Sequence, residues 1–287
     1  MPLRWIAVRI GGVEMIRVNL FGFYELGSAL GRLDDVIEGA PAEDFFRKAF
    51  FARMNLETVL SSKIIPLGAS RTAGEQLFKA IDALWRSLLG KPDARPEFIT
   101  SSEAYDIATS KKDFETVLAA ELPGLATFFV QKKAIFDTID LIAHGDEIFS
   151  GDILARMPTE AITDIREAGR CLAFELYTAT GFHIFRAMES VMLLYYKSLP
   201  TAPTLKPSDR NWGKYIDGMR TGGADSKVTD YLKYFKDSHR NPVTHPETVL
   251  TKDEAIAIFH ALPNAIVPMI SALPPIPATP SAPPPPP

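Results

Sequence analysis

Six consecutive residues, Arg240-Asn241-Pro242-Val243-Thr244-His245, bring together side-chain types suited to phosphodiester chemistry. Arginine offers five N–H donors in a planar fork that matches a phosphate. Histidine titrates at about 6.5 in an unperturbed setting, so it can take and return a proton near neutral pH. In metal-independent RNA cleavage a base removes the ribose 2′-hydroxyl proton, that oxygen attacks the adjacent phosphate, and positive donors stabilise the charge that develops. On this chemistry Arg240 holds the phosphate and His245 moves the proton, while Asn241 orients His245 or binds the sugar. Pro242 and Pro246 are poorly tolerated inside a regular helix, which predicts that the run leaves its helix in a fixed turn. The plainer alternative is an ordinary helix C-terminus, where Arg and His are favoured by the macrodipole.

A second group, His183, Arg186 and Glu189, recurs at steps of three and shares one side of a predicted helix. These residues either support an RNA-binding site, or Arg186 pairs with Glu189 while a backbone group satisfies His183. His239 is expected at the surface. Cys171, the single cysteine, is expected to be a small core residue and cannot form an intramolecular disulfide. Asp34-Asp35 and Asp146-Glu147 fall at predicted element ends and read as neither a catalytic pair nor a metal cage. The sequence has no Gly-rich phosphate loop, zinc-spaced Cys/His cluster or nucleophile elbow, so neither cofactor nor metal is expected.

The elements that must carry these residues are mainly helical. Residues 5–10 and 13–20 form β-prone runs around Gly11-Gly12 and suggest a small hairpin, although Met15 leaves a second start position open. Apolar spacing predicts helices over 42–65, 70–89 and 111–121, a short strand over 125–130, and a helical turn over 138–144. A boundary is expected near residue 150. Beyond it Thr159 would cap a helix leading to Leu176, followed by helices over 182–199, 212–219, 227–236 and 253–262, with Gly181 as a candidate kink. Pro263 and Pro268 are expected to interrupt the last helix. The resulting division is a mixed, mostly helical region 1–150, a helical domain 151–272, and a Pro-rich tail 273–287 expected to be disordered or polyproline II.

Three blocks carry a family resemblance: Arg166-Glu167-Ala168-Gly169-Arg170-Cys171-Leu172-Ala173-Phe174, then Phe182-His183-Ile184-Phe185-Arg186-Ala187-Met188-Glu189, and the run around Arg240. Together they resemble bacterial HEPN-domain proteins, many linked to phage defence and toxin systems, over residues 159–262. In that family a bundle of four or five helices carries an arginine, usually followed by a polar residue, with a histidine four to six positions later. Arg240, Asn241 and His245 fit that pattern. The resemblance implies an endoribonuclease that needs no metal, leaves a 2′,3′-cyclic phosphate, and brings two motifs together across a homodimer. An antitoxin or other protein partner is implied as well. The same family also implies an alternative, a non-catalytic module that binds nucleotide, RNA or a partner protein, with residues 1–150 as its specificity or regulatory part.

Bulk properties fit a folded, locally acting protein. Hydrophobic residues make up 46% of the 287, enough for substantial cores. A net charge of -4 removes any global field that would collect nucleic acid, so contact with RNA must be local. No apolar stretch is expected to span a bilayer, and Arg4 and Arg9 break up a signal-like start, so the expected location is cytoplasmic.

Overall fold

A computed structural model of the chain describes residues 6–10, 13–17, 20–62, 67–89, 96–125, 127–243 and 245–275, with side chains described from Phe21 onward. The fold is mainly α. It divides into two compact units, Met1–Phe128 and Phe129–Pro287. The division falls earlier than the break expected near residue 150, because residues 129–150 are tied to the second unit. Leu141 and Phe149 belong to its core. Asp146 is held by two hydrogen bonds from Arg166 at 2.9 and 2.8 Å, and Lys133 reaches Glu175 at 2.8 Å.

In the first unit β1 (Ile6–Ile10) and β2 (Val13–Arg17) pair antiparallel with Val8 opposite Met15, while the Gly11-Gly12 turn lies outside the described residues. Four helices follow: α1 (Leu20–Gly31), α2 (Ala42–Ser61), α3 (Ala69–Leu88) and α4 (Ser101–Glu121). Leu56, Val59, Leu77, Ile81, Ile107 and Phe114 meet in their core. Helix α4 begins ten residues before the expected position 111, because Thr100 and Glu103 form a reciprocal capping box that fixes the start. The strand expected over 125–130 is absent among the described residues. No neighbouring strand accepts its backbone groups, and Phe128 and Phe129 stand exposed.

The second unit contains two short helices, α5 (Thr138–Ala143) and α6 (Gly151–Leu154), and the long α7 (Thr159–Ala173) and α8 (Tyr177–Ser198). It continues with α9 (Trp212–Thr221), α10 (Ser226–Phe235), the turn α11 (Asn241–Val243) and α12 (Lys252–Ser271). Helices α7 and α8 pack together, and α12 packs on α8. The cap of α7 is Pro158, not Thr159, which is already helical. The break before α8 lies at 174–176, not at Gly181. Leu176 N–H donates to the Cys171 carbonyl and Glu175 N–H to that of Leu172, while Glu175 adopts φ 65°, the left-handed stop that usually takes glycine. Gly181 is instead a packing residue: a Cβ there would lie 2.7 Å from Leu250 Cδ1.

Helix α12 runs through Pro263 and Pro268 rather than ending at them. Its stripe of Ile258, Phe259, Leu262, Ile266, Met269 and Ile270 is buried in the unit core, and that packing outweighs the two missing backbone bonds. Uninterrupted, α12 reaches a length and apolarity sufficient to cross a membrane, contrary to the expectation that no stretch does; its inner face is already part of the core. Residues 276–287 of the Pro-rich tail lie outside the described residues, while the Leu273 and Pro274 carbonyls accept hydrogen bonds from Arg156.

Candidate functional site

The run that begins at Arg240 does not leave its helix as the prolines suggested. Helix α10 passes directly into a π-helical stretch, Lys236–Arg240, and α11 continues through Pro242. Asn241 N–H donates to the Lys236 carbonyl five residues back, so the turn is one residue wider than an α-turn. In a regular helix the Pro242 ring would collide with the carbonyl of Ser238, four residues before it; the widened turn moves that carbonyl out of register and admits the proline. Arg240 and Asn241 therefore sit at the end of a continuous helical path anchored by Phe235, which is fully buried beside Phe185.

Arg240 is partly exposed, and among the described residues no hydrogen bond or ion pair engages its guanidinium. His245 is exposed on the turn after α11, where its N–H donates to the Pro242 carbonyl at 3.0 Å and its carbonyl accepts from Thr248. The turn is held to α8 at two points. Val243 is buried against Gly181, and Leu250 N–H donates to Thr178 Oγ1 at 3.2 Å. No hydrogen bond joins Arg240 to His245 among the described residues.

His239, expected at the surface, is half-buried instead. The extra residue of the π turn rotates it inward, so that its ring lies edge-on to Phe235 at 5.0 Å and Tyr234 at 5.8 Å. Burial pushes its pKa below the ordinary 6.5, opposed by the charge of Glu254 at the start of α12.

The second group is partly brought together. His183 Nδ1 lies 2.8 Å from Asp164 Oδ1, and Arg186 Nε lies 3.2 Å from Asp164 Oδ2. One carboxylate on α7 thus holds both side chains of α8. Arg186 pairs with Asp164 rather than with Glu189, which accepts from the indole of Trp212 at 3.0 Å and so tethers α9. Asp164 was missed by the sequence reading, although a signal existed. It falls on the apolar stripe Ala161, Ile165, Ala168 and Leu172, and it is 5% exposed; an acid on such a face needs partners.

The remaining candidates have structural explanations. Cys171 is half-buried, and burial together with the nearby Glu167 raises its thiol pKa, which disfavours a nucleophilic thiolate. Asp34 pairs with Lys111 and Asp35 with Lys48, while Asp146 binds Arg166 and Glu147 binds His144. Among the described residues no three His, Cys, Asp or Glu side chains group as metal ligands. No family profile, curated protein or solved structure matches the chain.

Proposed function

We propose that this chain is a metal-independent endoribonuclease of the HEPN type, acting in the cytoplasm as a homodimer in defence or as a toxin. The observation that carries the reading is the open arginine. Arg240 stands at a widened helical turn with no acceptor among the described residues, beside Asn241 and five positions before an exposed histidine. A fork of unspent donors at a rigid helix end suits the phosphate of a bound strand. His245 exchanges the proton, and Asn241 binds the sugar or orients the histidine. A second chain contributes its own Arg240 and His245 to the opposite side of the scissile phosphate.

The test is incubation of purified protein with RNA in EDTA, beside Arg240→Ala and His245→Ala. Loss of one acid–base partner lowers cleavage by about 10²–10⁴-fold, and the product carries a 2′,3′-cyclic phosphate. Equal cleavage by all three proteins, or none by any, removes the proposal. A second reading, a non-catalytic module that binds RNA, nucleotide or a partner protein, is favoured by one feature: Arg240 and His245 occupy separate local structures with no hydrogen bond between them. It predicts RNA or nucleotide binding that Arg240→Ala weakens, with no cleavage by the wild type.

A further inference from the structure

A buried carboxylate in the second unit, Asp164, gathers a polar cluster. Asp164 is 5% exposed, and both of its oxygens are occupied, one by His183 Nδ1 at 2.8 Å and the other by Arg186 Nε at 3.2 Å. An ionised carboxylate that accepts from Nδ1 fixes the imidazole in the tautomer whose Nε2 is the free base. The histidine side chain remains 28% exposed. Arg186 forms an ion pair with Asp164, and its side chain is 71% exposed, which leaves the guanidinium open to solvent or a ligand. Because the two ends of a single carboxylate set the positions of both side chains, a proton acceptor and an anion fork are held side by side on α8.

We infer that Asp164, His183 and Arg186 form an acid–base site for phosphate esters, in which His183 transfers the proton, Arg186 holds the phosphate and Asp164 positions both. The inference rests on the endoribonuclease reading and adds to that activity, beside His245 and Arg240, a second proton-transfer group and a second phosphate fork. In the reaction His183 Nε2 takes the proton from the 2′-hydroxyl, and the 2′-oxygen forms a bond to phosphorus. The bond from phosphorus to the 5′-oxygen breaks, and that oxygen leaves with a proton supplied by His245. Atoms and charge balance without an oxidant, a reductant or added water. Helix α8 is already fixed against α7 by buried apolar residues, including Ile184, Ala187, Met188 and Val191, so the polar cluster is not required to join the two helices.

The experiment compares the full-length wild type, His183→Ala, His183→Gln, Asp164→Asn and Arg240→Ala on an RNA oligonucleotide in EDTA. Each protein's thermal melt is recorded, and each assay is repeated with added imidazole. The expected result is a fall of about 10²–10⁴-fold for both His183 variants, with partial recovery of His183→Ala by imidazole. Asp164→Asn lowers the rate with no imidazole recovery, because its histidine is present in the wrong tautomer. Packing roles alone would not give rescue by a small base. If wild type and Arg240→Ala differ but His183→Ala and His183→Gln cleave like wild type, the inference fails and the endoribonuclease reading stands. Loss in both His183 variants that imidazole never restores also overturns it. If wild type does not cleave at all, the reading fails and the inference falls with it.

Discussion

Two polar regions of the helical second unit differ in how their side chains are held. At the end of α10, Arg240 is open and His245 lies on an exposed turn, with no side-chain hydrogen bond or ion pair holding either among the described residues. On the α7–α8 face, one buried carboxylate fixes both His183 and Arg186. The first region has unspent donors and little preorganisation; the second is preorganised within one chain. Catalysis gains most from groups whose orientation is set before substrate arrives. The open region leaves its donors to be engaged from outside the described residues, whereas the bound cluster is already placed within one chain.

The strongest way to break this contrast is to remove what anchors the open region. Phe235 is fully buried and contacts Phe185 and His239. Phe235→Ala is expected to cost about 3–5 kcal/mol of stability, read by denaturant unfolding. Loss of less than about 1 kcal/mol would show that the π turn is held by something other than this ring.

The bound cluster depends on the placement of α7, which approaches residues 141–145 through two glycines. A Cβ on Gly169 would lie 2.6 Å from the Leu141 carbonyl oxygen and 3.2 Å from Gly145 Cα, both backbone atoms with little freedom to move. Gly169→Ala is therefore expected to destabilise by about 1–3 kcal/mol. An unchanged melting temperature would mean that α7 can shift without cost.

A smaller effect distinguishes the two regions by pH. Burial keeps the His239 pKa below 6.5, with Glu254 opposing the shift. The unfolded chain then binds a proton more readily than the fold does. The stabilisation is fully present above pH 6.5 and declines as pH falls through the folded pKa. Thermal melts from pH 7.5 to 5 should show a decline in stability that His239→Gln reduces. The same slope in both proteins would place the titration elsewhere.

The smallest expected change concerns the stop between α7 and α8. Glu175 adopts φ 65° and accepts from Lys133, which is 1% exposed. Glu175→Gly relieves the left-handed strain and loses the ion pair, so stability should move by no more than about 1 kcal/mol. A larger loss would assign the stop to the Lys133 pair rather than to the turn.

Much of the helical framework was legible in the sequence, because long apolar stripes such as that of α3 set both a period and a partner. The departures have specific causes. The stop after α7 carries Glu175 instead of glycine, so no turn signal marked it, and Gly181 drew attention for conformational reasons when its role is close packing. Pro242, Pro263 and Pro268 read as helix ends, but a widened turn admits the first and core packing of α12 overrides the others. At the candidate site, residue types and spacing were visible while pairing was not. Asp164 lies far from His183 in sequence, and only the packing of α7 on α8 brings its carboxylate to the ring. The inward turn of His239 depends on one extra residue in a π turn, for which helical periodicity gives no sign.

The central claim is best tested by the fate of RNA in the presence of EDTA, with wild type and Arg240→Ala compared at equal concentration and the product ends identified. Wild type should cleave and leave 2′,3′-cyclic phosphates, while Arg240→Ala, with an unchanged melting temperature, should cleave at least about 10²-fold more slowly. Equal rates for the two proteins, or intact RNA with both, would contradict it.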